Sequence, residues 1–269
     1  MIQLLRCATG AIVLGALWGG HALANDALKA VSLRCEYLKH PLGIHEVRPR
    51  LMWRVESDQR GQRQTGYRVL VASSIQKLDA DDGDLWDSGQ VASNQTIHVS
   101  YKGKPLRSRQ LCYWKVQVWD RDGKPSGWSE MAYWSMGLLT EDDWSAKYIS
   151  YRDDTPVFKD RNAHFLPPAR YYRKEFTNDK QVKRATVYAT ALGIYELEVN
   201  GRRVSDHYFA PGWTDYRQRA YYNTYDVTDF VQHGGNAIGT TVADGWYSGY
   251  VGFGLLTGIG TESIGRYTY

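Results

Sequence analysis

Apolar and polar residues alternate along the readable segments of this chain, and no window places apolar residues at helical spacing. Residues 67–71, 112–119 and 185–190 are rich in β-branched and aromatic side chains, which is typical of strands. Tyr195, Leu197 and Val199 share one face of a further strand, and the Asn200-Gly201 pair that follows tolerates the positive φ of a type I′ hairpin turn. The pattern therefore predicts an all-β protein.

The spacing of turn signals divides the chain into two β regions. Residues 25–137 hold roughly seven short strands, which fits a fibronectin type III or immunoglobulin-like sandwich. Residues 138–168 are irregular and polar and end in Pro167-Pro168, so they are assigned to a linker. Residues 169–269 hold enough strands for most of a jelly-roll-like β-sandwich. Since the final residues look like the middle of a hairpin, we expect this second sandwich to be truncated.

The first 24 residues have the organisation of a signal peptide. Arg6 precedes an apolar run over residues 11–18, and Ala22-Leu23-Ala24 forms a small-residue cleavage site. The apolar run is shorter than the roughly 20 residues that a membrane span needs. We expect a periplasmic or secreted protein with no membrane partner after cleavage.

Charge and cysteine content narrow the possible partners. The formal net charge is +4, and acidic and basic residues are interspersed, so nucleic acid is not an expected partner. Cleavage leaves Cys35 and Cys112, which an oxidising compartment would permit to pair. Two buried thiols are the alternative, and the sequence leaves both open.

Acidic residues offer no convincing catalytic or metal site. Glu196 and Glu198 would project about 6.6 Å apart from one strand face, side by side rather than across a cleft as glycoside hydrolysis requires. The acidic run from Asp79 to Asp87 has Gly83 one place early for an EF-hand loop, so a solvated loop is favoured. Zinc, phosphate-loop and nucleophile motifs do not occur in the sequence. We expect no catalytic residue, metal or cofactor in this chain.

Aromatic residues are the candidates for binding. The chain has 10 Trp and 20 Tyr against 6 Phe, a bias that suits half-buried strands and sugar-stacking surfaces equally. Trp213, Tyr216, Trp246 and Tyr247 lie beside turn glycines, where rings stand at the rim of a β-sandwich and contact the C–H faces of sugars. The same rings would alternatively plug the ends of the sandwich.

Asp226 and Thr228 are short polar residues just before Phe230. Their side chains are predicted to cap a turn there. A hydrogen bond from Asp226 to sugar is the alternative.

Two motif runs carry a family resemblance. Asn200-Gly201-Arg202-Arg203-Val204, then Ala210-Pro211-Gly212-Trp213-Thr214-Asp215-Tyr216 and Asp244-Gly245-Trp246-Tyr247-Ser248-Gly249, resemble the N-terminal β domain of bacterial α-L-rhamnosidases. Upstream, Leu85-Trp86-Asp87-Ser88-Gly89 and Gly127-Trp128-Ser129 are similar to the immunoglobulin-like module that precedes it. The resemblance covers nearly all of the chain after the signal peptide.

The resemblance implies an exported enzyme that hydrolyses terminal α-L-rhamnose by inversion, with its acid and base in an (α/α) barrel outside this chain. The implied partners are rhamnose-containing glycans or glycosides and the C-terminal catalytic domain of the same polypeptide. This chain alone is then expected to be inactive. The alternative is a stand-alone secreted carbohydrate-binding module. A purely architectural two-domain spacer is a third reading, because a fold by itself implies no chemistry.

Overall fold

The computed structural model describes residues 28–150, 168–248, 261–262 and 265–266. The predicted signal peptide, residues 151–167 of the predicted linker and most of the chain after residue 248 lie outside the described residues. The described part is almost entirely β, which confirms the predicted fold class. Its helical elements are short: α1 (Ile75–Asp79), α2 (Gly245–Ser248) and one 3-10 turn (Glu141–Asp143). None of the described helices has the length and apolarity that crossing a bilayer requires.

Seven strands build the first sandwich, as the turn spacing predicted. They are β1 (Lys29–Cys35), β2 (Arg50–Glu56), β3 (Gly66–Ala72), β4 (Trp86–Asp87), β5 (Val99–Ser100), β6 (Leu111–Trp119) and β7 (Ala132–Ser135). One sheet has the order β1-β2-β5 and the other the order β4-β3-β6-β7, with antiparallel pairing throughout. This division into a three-stranded and a four-stranded sheet is typical of immunoglobulin-like sandwiches.

Large aromatic side chains fill the space between these two sheets. Trp53, Trp114 and Trp134 are all at most 1% exposed. Trp53 Nε1 donates to Gln64 Oε1 at 2.9 Å, and the Gln64 amide donates in turn to the carbonyls of Ser93 and Gln95. An unpaired buried donor costs about 1–3 kcal/mol, and Trp114 Nε1 carries this cost, because it has no hydrogen-bond partner among the described residues. Three of the ten tryptophans are therefore buried in this core.

Cys35 and Cys112 lie in the same core as free, buried thiols. Of the two possibilities that the sequence left open, the structure shows the unpaired one.

The second β region contains six strands within residues 168–248. They are β8 (Arg170–Asn178), β9 (Thr186–Ala189), β10 (Ile194–Val199), β11 (Arg202–Arg203), β12 (Asn223–Asp226) and β13 (Gly234–Ala243). Four of them form a sheet of order β11-β10-β13-β8, while β12 pairs with β9. Two further short strands, β14 (Thr261–Glu262) and β15 (Gly265–Arg266), pair with each other.

The predicted hairpin joins β10 to β11. Val199 pairs with Arg202, and the turn residues Asn200 and Gly201 have φ of 52° and 74°. Along β10, Tyr195, Leu197 and Val199 are buried while Glu196 and Glu198 are exposed, so the alternation is as predicted. The buried face packs against Tyr225, Val227 and neighbouring apolar residues to form the second core.

The two β regions contact each other through Tyr222. Its hydroxyl oxygen accepts the Leu138 N–H at 2.8 Å and lies 2.6 Å from His45 Nε2. Its ring lies against those of Trp144 and Tyr188. The contact is close, because a Cβ built on Gly137 would meet the Tyr222 hydroxyl oxygen at 2.4 Å. The second region therefore docks onto the end of the first at a defined position.

Candidate functional site

Two chain segments meet at one end of the β10–β13 pair and build an aromatic surface. The segment after β11 runs back along β10, where the Tyr195 N–H donates to the Ala210 carbonyl at 2.8 Å. Helix α2 follows β13 and packs against the start of β10. Gly245 has φ of 51°, and a Cβ there would meet the Ile194 N atom at 2.9 Å, so only glycine fits comfortably. These constraints place Trp246 beside the returning segment.

The four aromatic residues proposed from the sequence come together here in two ring pairs. Trp213 and Trp246 stack with centroids 6.2 Å apart and planes inclined by 10°. Tyr216 and Tyr247 meet edge to face at 5.3 Å. Phe209, which the sequence analysis did not single out, contacts Trp246 edge to face at 5.8 Å. We call Phe209, Trp213 and Trp246 the aromatic platform.

Exposure distinguishes the roles of these rings. Trp213 is 58% exposed and Phe209 61% exposed, whereas Trp246 and Tyr216 are half-buried. The Tyr216 hydroxyl donates to the Gly212 carbonyl at 3.4 Å, and burial raises the pKa of this phenol. Trp213 therefore does not plug the end of the sandwich. Its stack on Trp246 covers one ring face, and Tyr216 and Tyr247 support the surrounding loop.

Two arginines lie over tyrosine rings that are close in sequence to the aromatic platform. Arg203 lies 4.8 Å from the centroid of Tyr208, which directly precedes Phe209, and its guanidinium is 3.4 Å from Glu196. Arg219 lies 5.7 Å from the centroid of Tyr221, and its Nε donates to Thr214 Oγ1 at 3.3 Å. Guanidinium groups on aromatic rings keep a fixed plane and free N–H donors. The surface thus combines exposed rings with ordered cations.

The other candidate residues are engaged in the structure. Asp226 Oδ1 accepts the Thr228 N–H at 2.9 Å, and Thr228 Oγ1 accepts the Ala185 N–H at 3.0 Å, so both residues cap the turn before Phe230. Glu196 and Glu198 lie side by side on the exposed face of β10, as predicted.

The acidic run after α1 forms local bonds. Asp84 accepts the Ser73 N–H and pairs with Lys77 at 2.7 Å. The hydrogen bond from Arg68 holds the pKa of Asp87 below its usual value. In residues 28–150 and 168–248, no three His, Cys, Asp or Glu side chains converge as metal ligands would.

A shallow depression of about 460 Å³ lies elsewhere, at the edge where β8 meets β13. Its buried amides are satisfied internally: Asn200 Nδ2 donates to Asn236 Oδ1 at 2.9 Å, and Asn200 Oδ1 accepts the Ala237 N–H at 2.8 Å. These groups hold the hairpin in place and present no free donor to a ligand. The aromatic platform is therefore the stronger candidate site.

The sequence analysis assigned no binding role to Phe209 or Arg219, for different reasons. Phe209 has φ of 59°, an uncommon conformation for a bulky residue. The local sequence pattern does not predict this conformation. Arg219 is one of several arginines in its segment, and its neighbours Thr214 and Tyr221 become evident only in the folded loop. The only available signal was the density of aromatic residues from Tyr208 to Tyr221.

The described residues form a two-unit β protein, an immunoglobulin-like sandwich followed by a second β unit with exposed aromatic rings. Residues 30–140 match the family described as "Rha78A-like, N-terminal immunoglobulin domain", and residues 180–266 match the "Alpha-L-rhamnosidase N-terminal domain". The chain carries the N-terminal β domains of the α-L-rhamnosidase family.

Individual relatives agree with this assignment. An α-L-rhamnosidase of Formosa agariphila is 38% identical over 218 residues, covering 81% of this chain and 23% of the relative. An α-L-rhamnosidase of an Alteromonas species is 35% identical, covering 85% and 25%. The chain thus spans about a quarter of the length of these relatives.

Solved structures show the same fold. The α-L-rhamnosidase from Dictyoglumus thermophilum superposes with a TM-score of 0.75 at 34% identity, covering 81% of this chain and 25% of that one. The Streptomyces avermitilis enzyme, solved with L-rhamnose, gives a TM-score of 0.77 at 28% identity, covering 86% and 38%. This chain matches less than half of the length of each of these two enzymes.

Proposed function

We propose that this chain is the non-catalytic N-terminal part of an exported α-L-rhamnosidase, an enzyme that releases terminal α-L-rhamnose from glycosides. The observation that carries the proposal is the presence, in order, of both N-terminal domains of that family. Hydrolysis is therefore assigned to the part of the relatives that lies outside this chain.

An assay of hydrolysis tests whether the catalytic residues lie outside this chain. The purified chain should not release nitrophenol from 4-nitrophenyl α-L-rhamnopyranoside, whereas a polypeptide extended along its native reading frame should. Release by the chain alone, abolished by Glu196→Gln or Glu198→Gln, would place the chemistry within these residues and overturn the proposal.

Export is the second part of the proposal and rests on the signal-peptide pattern of residues 1–24. The mature protein recovered from cells should begin at Asn25. An N-terminal peptide that retains Arg6 in the recovered protein would contradict export.

A carbohydrate-binding role is the second candidate function, and the exposed Trp213–Trp246 stack favours it specifically. Trp213, Tyr216, Trp246 and Tyr247 are proposed to form the substrate-binding surface, with Trp213 as the ring that contacts sugar. Rings of this kind bind the C–H face of a pyranose through apolar contact. The role applies whether the chain acts within a rhamnosidase or as a separate binding module.

Calorimetric titration with L-rhamnose and rhamnosylated glycans tests the binding role. Trp213→Ala should abolish measurable heat while leaving the melting temperature nearly unchanged, because the ring is mostly exposed. Tyr148→Phe, at an exposed position outside the platform, serves as the control. Unchanged affinity in Trp213→Ala would contradict a sugar-binding role for the aromatic platform.

A further inference from the structure

Arg219 is connected to the two sequence neighbours of Trp213, which are Gly212 and Thr214. Its Nε donates to the hydroxyl of Thr214, a residue only 9% exposed, and its guanidinium lies over the ring of Tyr221. Tyr221 in turn packs against Gly212, where a Cβ would come within 3.7 Å of the ring. These contacts tie Arg219 to the residues on either side of Trp213.

The charge of Arg219 is uncompensated in the described part of the chain. Arg203 pairs with Glu196 at 3.4 Å, and the pKa of Arg203 is raised mainly by its hydrogen bond with Tyr208 and further by this carboxylate. Arg219 makes no ion pair with any residue that the structure describes. Arg219 is exposed to solvent. Each of the two arginines thus lies over a tyrosine ring, but only Arg203 is paired with a carboxylate.

An exposed tryptophan face beside an unpaired, ordered guanidinium fits a ligand with two features. The ring accommodates the apolar face of a sugar, and the guanidinium binds a carboxylate or sulfate through charge-assisted hydrogen bonds. Planar guanidinium donors suit such oxyanions better than a lysine ammonium does. Neutral sugars would use only the first feature.

We infer that the aromatic platform and Arg219 together bind an acidic glycan, in which a sugar ring stacks on Trp213 while an anionic substituent contacts Arg219. The inference rests on the proposed carbohydrate-binding role of the platform and adds to it the chemical class of the ligand. A uronate carboxylate and a sulfate ester share the required chemistry, and the experiment separates these two sources.

Calorimetric titration of the purified chain with matched polymers tests the inference. The first pair is rhamnogalacturonan backbone and the same polymer after its carboxyl groups are reduced to alcohols. The second pair is dextran sulfate and dextran. We expect the charged member of at least one pair to bind about tenfold more tightly than its neutral partner, as one charge-assisted contact provides. The preference should shrink as salt rises from about 0.05 M to about 0.5 M.

Variants assign the preference to one residue. Arg219→Gln should reduce binding of the charged polymer to the level of the neutral one without changing the latter, and Arg219→Lys should restore part of the difference. Arg203→Gln is the matched control, an arginine on a tyrosine ring that is already paired, and should leave the ratio unchanged. Circular dichroism and melting curves verify that each variant folds.

The outcomes separate this inference from the proposal beneath it. If charged and reduced polymers bind equally and Trp213→Ala abolishes both, the platform binds sugar but the acidic-glycan inference is wrong. If the charge preference persists in Arg219→Gln, the inference is also wrong. If no polymer binds the unmodified chain, the inference and the carbohydrate-binding role fail together.

Discussion

The two cysteine thiols buried in the first sandwich have pKa values that differ from those of cysteine in water. Cys35 and Cys112 are at most 1% exposed. Burial raises the pKa of Cys112 to about 12, and burial together with the neighbouring Glu36 raises the pKa of Cys35 further. Thiolate is the reactive form of cysteine, so both residues should be inert in the folded protein.

We expect a chain that begins at Asn25 to show no reaction with Ellman's reagent at pH 8 in its native state, and two reactive thiols after denaturation without reductant. Because the folded pKa is raised, stability should be constant below the ordinary thiol pKa and should fall as pH rises above it, since the unfolded state ionises first. Rapid native labelling, or fewer than two thiols after denaturation, would contradict this picture of the core.

Sequence reasoning at the residue scale succeeded where the environment is local. The exposed positions of Glu196 and Glu198 and the capping role of Asp226 follow from strand alternation and turn chemistry. The exposure of Trp213 and the unpaired state of the cysteines did not follow, because each depends on which distant segment packs against the residue. Trp246 comes from 33 positions beyond Trp213 in the sequence, and no periodicity links them.

Strands and turns are the elements that the sequence predicted best. The hairpin between β10 and β11 was evident because Asn200-Gly201 is the preferred pair for a turn with two positive φ values. The sequence did not show that Asn200 also secures the hairpin to the rest of the sheet. Its amide donates to the Phe230 carbonyl and accepts from the Ala237 N–H, at 2.8 Å in each case.

This dual role predicts different costs for the two turn residues. Gly201→Ala should destabilise by about 1 kcal/mol, because only the backbone conformation is penalised and a Cβ there meets no atom within 4 Å. Asn200→Ala should cost about 2–4 kcal/mol, since it also leaves buried partners unpaired. Urea unfolding measures both values. A larger loss for Gly201→Ala would show that the amide contacts contribute little.

At the scale of the whole molecule, the two β regions are joined by a polar and aromatic contact centred on Tyr222. Arg184 extends it by donating to the Arg109 carbonyl at 3.2 Å, and Arg109 lies over the ring of Tyr188. The sequence predicted two regions but not this contact, because its members are separated by up to 177 positions, as His45 and Tyr222 are. Docking of this kind couples the stabilities of the two regions.

We expect Tyr222→Phe to weaken that coupling, because it removes the hydroxyl that accepts from Leu138 and bonds His45. The calorimetric melt of the native chain should be a single transition, and the variant should separate into two or broaden measurably. Tyr148→Phe, at a position 61% exposed, is the control. Identical melts for both variants would mean that the contact is dispensable for cooperativity.

These β domains are proposed to belong to a longer rhamnosidase whose hydrolytic residues lie outside this chain. The relatives are roughly four times as long as the part that this chain matches, since that part is 23–25% of their length in two of them. Reading the gene past codon 269 is the most direct test. We expect an open frame of several hundred further codons that encode a helical barrel. A stop codon directly after Tyr269 would contradict it.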